Sequence, residues 1–363
     1  MNERERLLAV LNGDVPDEIP WYADLSYLYQ SMQKKAVLEE RYLGEEGYLR
    51  FHEELGAGIC FYAPLVWKME YGHKVQHFDT IEDGDIVSTF ITPQGEICQG
   101  QRYLPKTYAW AITEHFIKDI NDLKVMLYVY EHATYEENYR EFERIDRMWG
   151  GNGIAVALAP ISVSPLQKLL TRWAGVEKTI EMLMDYENQF DDIIERLKNS
   201  EDQVFSIISE SPAELVEFAE NLSSEITGRN IFAKYSSDYY TKRINQLHSS
   251  GKLVSIHIDG TLKGCFDLLE KTGFDAAEAV TPWPMGDIAV DSLRKVAGEK
   301  IVIWGGLPGA LFSPLCSDRE FEEHLQHAIE AFSRGSKFVL GVADQVPPDG
   351  LISRVKRVRE VIG

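Results

Sequence analysis

The stretch Ser255-Ile256-His257-Ile258-Asp259-Gly260 decides the organisation of the chain. It continues a short apolar run and ends in glycine, a pattern typical of a buried strand followed by a turn. His257 and Asp259 are two residues apart, so in a strand they point to the same face. An imidazole beside a carboxylate can bind a metal ion or share a proton, and parallel α/β folds place such chemistry at the carboxyl ends of their strands. A purely structural hydrogen bond between the two side chains is the alternative interpretation.

The composition indicates a globular protein with a small-molecule or protein ligand. The chain has 363 residues, 44% of them hydrophobic, enough for one large α/β barrel or two medium domains. Its formal net charge is −21, from 37 Lys+Arg and 58 Asp+Glu. This surplus of acid disfavours nucleic acid and anionic membrane surfaces as partners, and no run of Lys or Arg reverses it locally.

The amino-terminal residues and the cysteines predict a cytoplasmic protein. Residues 1–6 are mostly charged and lack the apolar segment of a secretion signal, and no apolar run is long enough to span a membrane. The 4 cysteines are widely spaced and form no C-x-x-C pair. We therefore expect single buried thiols rather than a disulfide framework or a thiolate zinc knuckle.

Short apolar strands alternate with helical segments along most of the chain, which predicts a parallel sheet. Eight such strands are the number that closes a barrel. We therefore predict an α/β fold, a single (β/α)8 TIM barrel over residues 1–363. The predicted strands lie at residues 18–24, 59–63, 154–159, 215–218, 253–258, 276–280, 300–304 and 337–342.

Residues 76–117 follow a different pattern. Polar and apolar residues alternate there around two turn sequences, Glu82-Asp83-Gly84-Asp85 and Pro93-Gln94-Gly95. This pattern predicts antiparallel hairpins. About forty residues bury too little core to stand alone, so we interpret the segment as a β-rich insertion on the barrel.

Several motifs, taken together, resemble the uroporphyrinogen decarboxylase (UroD-like) superfamily over nearly the whole chain. That superfamily is a (β/α)8 barrel with two known chemistries. One is the metal-free decarboxylation of uroporphyrinogen in porphyrin biosynthesis, and the other is zinc-dependent methyl transfer between corrinoid proteins and thiols. The motifs are Glu3-Arg4-Glu5-Arg6-Leu7-Leu8-Ala9-Val10-Leu11-Asn12-Gly13, Pro16-Asp17, Ile19-Pro20, His257-Ile258-Asp259-Gly260, Glu278-Ala279-Val280-Thr281-Pro282, Pro284-Met285-Gly286-Asp287, Trp304-Gly305-Gly306-Leu307-Pro308-Gly309 and Gly341-Val342-Ala343-Asp344-Gln345-Val346-Pro347-Pro348.

The motif positions favour the methyltransferase branch. The decarboxylases have an arginine-rich amino-terminal segment, because a substrate with many carboxylates needs guanidinium donors. Residues 21–32 of this chain contain no arginine. The methyltransferases resemble one another in a His-x-Cys after the fifth strand and a Cys after the eighth. This chain has His257, Asp259 and Asp344 at those positions, and all three residue types can bind a metal.

The resemblance implies a divalent ion at His257, Asp259 and Asp344. Zinc is the first expectation, and manganese or iron is the alternative because carboxylates make the site harder than thiolates do. A methylcorrinoid carried by a corrinoid protein is the implied partner-borne cofactor. Two neighbouring carboxylates without a cation would repel each other, which also favours an ion. The alternative is a His-Asp hydrogen bond, with Asp344 capping a turn before Pro347.

Further site residues are expected around these ligands. Glu278, at the end of the sixth strand, and Asp24, at the end of the first, are candidate catalytic acids or bases. Glu278 could equally be a fourth ligand or a structural partner at the rim. The predicted substrate-binding residues, for which packing is the alternative role, are Tyr22, Tyr62, Asn221 and Trp304.

Three functions stay open at this stage. The first is a metal-dependent methyltransferase or demethylase component that moves a methyl group to or from a corrinoid protein or a small acceptor. The second is a metal-free decarboxylase of the uroporphyrinogen decarboxylase type, with Asp259 or Asp24 directing protonation. The third is a non-catalytic tetrapyrrole or corrinoid binder. Fold analogy alone does not choose among them, because barrels host unrelated reactions.

Overall fold

The computed structural model describes residues 1–60, 63–160, 163–333 and 337–363. Its contacts divide the chain into two compact units. Unit 1 comprises Met1–Leu65, Tyr139–Ala159 and Pro212–Gly363, and unit 2 comprises Val66–Asn138 and Pro160–Ser211. The prediction of one domain over the whole chain stays a prediction. None of the described helices has the length and apolarity that crossing a membrane requires.

Strands and helices alternate through unit 1, as the apolar pattern predicts. The strands in the described residues are β1 Trp21–Tyr22, β2 Trp67–Glu70, β3 Gln76–Glu82, β4 Asp85–Thr92, β5 Gly95–Leu104, β6 Ala109–Glu114, β7 Thr134–Glu137, β8 Val156–Leu158, β9 Leu215–Leu222, β10 Leu253–Ile258, β11 Ala276–Val280, β12 Val302–Pro308 and β13 Phe338–Ala343. The α-helices are α1 Glu3–Leu11, α2 Ser26–Lys34, α3 Gly44–Leu55, α4 Ile120–Glu131, α5 Tyr139–Trp149, α6 Pro165–Lys168, α7 Val176–Asp185, α8 Glu187–Ser200, α9 Asp202–Glu210, α10 Ser224–Ile231, α11 Ser237–Ser249, α12 Phe266–Thr272, α13 Leu293–Ala297, α14 Asp318–Phe332 and α15 Ile352–Ile362.

The main sheet of unit 1 has seven parallel strands in the order β1-β13-β12-β11-β10-β9-β8. This arrangement confirms the predicted parallel α/β sheet. The register places Glu278 of β11 opposite His257 of β10. It places Glu217 of β9 opposite Ser255 on the other side of β10. Two acidic residues from neighbouring strands therefore flank the strand that carries the histidine.

Residues 58–59 connect the two edge strands of this sheet. Tyr22 of β1 forms a parallel bridge with Gly58, and Ile59 forms one with Gly153, shortly before β8. The amide of Ile154 donates to the carbonyl of Ile59 at 3.0 Å. A Cβ on Gly153 would lie 1.8 Å from that carbonyl oxygen, so only glycine fits there. The second predicted strand is thus present as two single-residue bridges, and part of its predicted range lies outside the described residues.

An apolar cluster fills the end of the sheet at which the strands begin. The buried face of α1 packs there against side chains of six sheet strands and Ile154. Tyr22 and Trp304 belong to this cluster, with ring centroids 5.4 Å apart. The Tyr22 hydroxyl donates to the Glu3 carbonyl at 3.0 Å, so it points towards α1. Helix α1 itself begins at a capping box between Asn2 and Glu5, which fixes its start.

Unit 2 combines antiparallel strands with helices. Strands β3 to β6 form a four-stranded sheet in sequential order, and β2 pairs with β7. The predicted hairpins of residues 76–117 are present as these antiparallel strands, with the first turn at Asp83-Gly84. A buried ion pair joins Lys168 and Glu201 at 2.5 Å among the helices of the same unit.

Candidate metal centre

His257 lies near the carboxyl end of β10, and its side chain is only 15% exposed. Its Nδ1–H donates to Glu278 Oε2 at 2.5 Å. The contact follows from the sheet register, since adjacent parallel strands place these two residues side by side. A carboxylate on one ring nitrogen fixes the orientation of the imidazole and leaves Nε2 for another partner.

Glu217 lies on the other side of the histidine. It occupies the middle of β9 and is almost fully buried, with its Oε2 accepting from Ser255 Oγ at 3.2 Å. Ligand atoms of Glu217, His257 and Glu278 all lie within 4.8 Å of one another. Glu217 is not among the residues predicted from the sequence, although a single charged residue inside the apolar run Leu215–Phe218 is an unusual pattern for a strand.

Asp344 faces the second ring nitrogen of the histidine. It follows β13 directly, and its Oδ1 lies 3.9 Å from His257 Nε2. Its side chain is 57% exposed, so this part of the site opens to solvent. Asp259, the other predicted ligand, follows β10, is exposed, and is close enough to Asp344 to repel it. The structure therefore brings the three predicted ligands to one end of the sheet, and metal binding by them stays a prediction.

Asp24 is a further acidic residue at this end of the sheet. It follows β1, is buried, and accepts hydrogen bonds from the Ser26 amide and from Gln345 Nε2, each at 2.9 Å. Because Gln345 comes directly after Asp344, this contact ties the end of β1 to the end of β13. A catalytic role of Asp24 stays a prediction.

Burial and mutual repulsion shift the ionisation of these groups. Burial and the charge of Glu278 raise the pKa of Glu217 to about 8. Burial also raises the pKa values of Glu278 and Asp24, against the attraction of His257. Partial burial, with repulsion from neighbouring acids, raises the pKa of Asp344 to about 6. Burial disfavours the charged imidazole, but Glu278 and the other acids outweigh this effect and raise the pKa of His257 to about 10.

The charged neighbours with the largest effects on these acids are one another and His257. Within the described part of the chain, no Lys or Arg is among these neighbours. Buried carboxylates are normally paired with a cation or bound to a metal. The cluster therefore has an excess of negative charge that protons or a metal ion must balance.

Three residues with a strained backbone lie at the same end of the sheet. Asn221, Ala279 and Asp344 adopt left-handed backbone conformations with φ of +50°, +60° and +65°. The strand register also shifts on both sides of His257, in β9 and in β11. Bulges and left-handed non-glycine residues cluster at functional sites, where they redirect side chains.

The predicted substrate-binding residues have different positions. Tyr22 and Trp304 are 1% exposed in the apolar cluster at the opposite end of the strands, because α1 packs over them. Both side chains therefore have the packing role that the sequence left open as the alternative, and substrate binding by them stays a prediction. Asn221 is exposed at the end of β9, where substrate binding stays a prediction. Tyr62 lies outside the described residues.

A histidine enclosed by carboxylates at the carboxyl ends of parallel strands defines a candidate metal or proton-transfer centre in an α/β protein. The sequence matches the model of the uroporphyrinogen decarboxylase (URO-D) family over residues 154–363, more than half of the chain. The chain therefore belongs to that family, and the matched residues include Glu217, His257, Glu278 and Asp344.

The fold is similar to that of a solved structure of low sequence identity. The structure is similar to that of a methyltransferase from Methanosarcina mazei, with a TM-score of 0.63 and 13% identity over 99% of this chain and 98% of that chain. A ribulose-1,5-bisphosphate carboxylase/oxygenase from Pyrococcus horikoshii aligns with a TM-score of 0.34 and 10% identity over 94% of this chain and 62% of that one, too weakly to support an argument. No curated protein sequence matches the chain.

Proposed function

We propose that this protein is a metal-dependent methyltransferase or demethylase component, which moves a methyl group to or from a corrinoid protein or a small acceptor. The observation that carries the proposal is the pair of contacts that the two ring nitrogens of His257 make. Glu278 occupies Nδ1 at 2.5 Å, while Nε2 faces Asp344 at 3.9 Å. Metal-binding histidines have this arrangement, with a carboxylate on the nitrogen that does not bind the ion.

The residues fit a divalent ion held by His257 Nε2, Asp344 and Asp259. Ligand atoms of one zinc ion lie roughly 3–4 Å apart, because each is about 2 Å from the ion. The separation of 3.9 Å between Nε2 and Asp344 agrees with this requirement. Binding by Glu217, His257 and Glu278 instead would require the ion to displace the hydrogen bond at Nδ1, so we favour the Nε2 side.

The charge of the cluster also supports a cation. The acids have no Lys or Arg among their strongest charged neighbours in the described residues, and a divalent ion would balance them directly. Nitrogen and carboxylate ligands suit zinc, and they also suit Mn²⁺ or Fe²⁺. When bound, the ion would polarise the atom that gives or takes the methyl group. Glu278 then acts as a positioning residue through His257, and Asp24 is the buried carboxyl available to carry a proton.

We further propose that the main sheet closes into the eight-stranded barrel of this family. The two bridges at Gly58 and Ile59 support closure, because they join both edge strands to the same segment. A closed barrel would bring the ends of β10 and β13 to one mouth. The absence of arginine from residues 21–32 supports the methyltransferase branch over uroporphyrinogen decarboxylation.

Metal content of the purified protein tests the proposal first. Wild-type protein from metal-supplemented growth should hold about one zinc, manganese or iron per chain by elemental analysis. The substitutions His257→Ala and Asp344→Asn should each remove it while unfolding stays cooperative. His248→Ala is the matched control, because that imidazole also contacts a carboxylate, Asp275, at 2.8 Å. Wild-type protein without metal, or unchanged content in both site variants, would refute the assignment.

A reaction assay separates the two chemistries of the family. Metal-loaded protein should remove the methyl group from free methylcobalamin in the presence of a thiol or phenol acceptor, followed by absorbance, and Asp344→Asn should abolish this activity. Uroporphyrinogen III should not be converted to coproporphyrinogen. The reverse result would assign the protein to the decarboxylase branch.

A further inference from the structure

Asp287 binds the loop that follows β10. Its Oδ1 accepts from the Leu262 amide and its Oδ2 from the Lys263 amide, each at 2.9 Å. These amides come three and four residues after Asp259. An aspartate in such a position commonly caps the helix of its own segment, but here both carboxylate oxygens bind a different loop.

The loop that carries Asp287 is itself tightly constrained. The Gly286 amide donates to the Pro282 carbonyl at 3.0 Å, and the Trp283 amide donates to the Ile288 carbonyl at 2.9 Å. A Cβ on Gly286 would lie 1.9 Å from the Thr281 carbonyl oxygen, so the turn admits only glycine. This closed turn holds the Asp287 carboxylate in one place.

The loop after β10 is held from its other side as well. Thr261 Oγ1 accepts from Ser224 Oγ at 3.0 Å, and the Thr261 carbonyl accepts from the Ser224 amide at 2.8 Å. Ser223 lies against Gly260, where a Cβ would be 2.9 Å from its Oγ. The segment that follows Asp259 is therefore fixed between the loops of the two neighbouring strands.

We propose that Asp287 is a positioning residue for Asp259, and that its two backbone hydrogen bonds set where the Asp259 carboxylate stands beside Asp344. The inference rests on the proposed metal centre. Asp259 is exposed, so packing does not fix its side chain, and the backbone of its loop must do so. Residues that orient metal ligands in this indirect way typically change metal affinity by about 10–100-fold when they are replaced.

The test uses Asp287→Asn, which keeps the shape of the side chain but replaces one acceptor oxygen by an NH2 group. Zinc affinity of the full-length protein, measured by competition with a chromophoric chelator, should fall about 10–100-fold. Asp287→Glu, which keeps two acceptor oxygens, should recover part of the loss. Asp291→Asn is the matched control, because it removes the same charge nearby at a side chain that contacts His327 at 2.8 Å. The control should bind zinc as the wild type does.

A second measurement separates positioning from a general structural role. Amide hydrogen exchange at Leu262 and Lys263 should accelerate in Asp287→Asn, while the melting temperature of the metal-free protein stays within a few degrees of wild type. Faster exchange with unchanged zinc affinity would overturn the inference and leave the metal centre intact. A loss of zinc affinity in Asp291→Asn equal to that in Asp287→Asn would also overturn the inference. A wild-type protein that binds no metal would refute the proposed function, and this inference with it.

Discussion

Replacing Glu278 by glutamine in the metal-free protein should strongly lower the pKa of His257. Burial alone disfavours the charged ring, and Glu278 is the largest influence that opposes burial. A neutral amide cannot supply that charge, so the pKa should fall from about 10 by roughly two units or more. At about 1.4 kcal/mol per unit, the carboxylate stabilises the imidazolium by roughly 3 kcal/mol or more. Near pH 9 the ring should thus be charged in the wild type and mostly neutral in the variant.

NMR titration of histidine-labelled protein after chelator treatment measures the pKa of His257 directly. The signal that is missing from the His257→Gln spectrum identifies the His257 resonance. Glu217→Gln is the matched comparison, because it removes an equally buried carboxylate whose Oε2 accepts from Ser255 rather than from the ring. It should lower the pKa of His257 by less. A pKa in Glu278→Gln within about half a unit of wild type, or an equal fall in both variants, would refute the reasoning.

Three further outcomes are expected. Burial lowers the pKa of His52 to about 4, below its unfolded value, so its contribution to stability is complete above about pH 6.5 and is lost as the pH falls through 4. Between about pH 6.5 and 4, the free energy of unfolding should fall by about 3 kcal/mol less in His52→Gln than in the wild type, as measured by urea unfolding. An equal fall in both proteins would contradict the lowered pKa of His52. Lys168→Met removes the cation of the buried pair with Glu201 and should lower the free energy of unfolding by about 3–5 kcal/mol in urea. Adding Glu201→Leu should recover much of that loss, and a double variant as unstable as the single one would contradict this account. Gly153→Ala would place a Cβ 1.8 Å from the Ile59 carbonyl oxygen and should lower the free energy of unfolding by about 2 kcal/mol or more, as measured by thermal unfolding. Unchanged stability would argue against the bridge between Ile59 and Gly153.

The alternation of apolar strands and helices was sufficient to predict the parallel sheet and the strand that carries His257. It also placed Asp259 and Asp344 at the same end of the sheet. The pairing of His257 with Glu278 could not be predicted, because it depends on the register between β10 and β11. A single sequence contains no signal for register between strands that each form a continuous apolar run.

The aromatic residues illustrate a second limit. Tyr22 and Trp304 were predicted to bind substrate, with packing as the alternative, and both pack in the core beneath α1. A strand of two residues such as β1 does not reveal which side chain faces which end of the sheet. The decisive contact comes from α1, whose apolar residues cover the beginnings of the strands. Such a contact between distant segments is tertiary information, and local patterns do not contain it.

The centre around His257 departs from what stability alone would select. Buried carboxylates that repel one another destabilise a fold, and left-handed conformations at Ala279 and Asp344 each cost of the order of 1–3 kcal/mol. Both kinds of cost occur together at the carboxyl ends of the strands. At the opposite end Lys337 is also left-handed, with φ of +76°, but the side chains there form a packed apolar cluster. Stability alone does not explain why strain and unbalanced charge occur together at one end of the sheet while the other end is packed with apolar residues. A cation would remove the repulsion while using the redirected side chains, and this joint explanation of charge and strain is the physical basis for placing the function there.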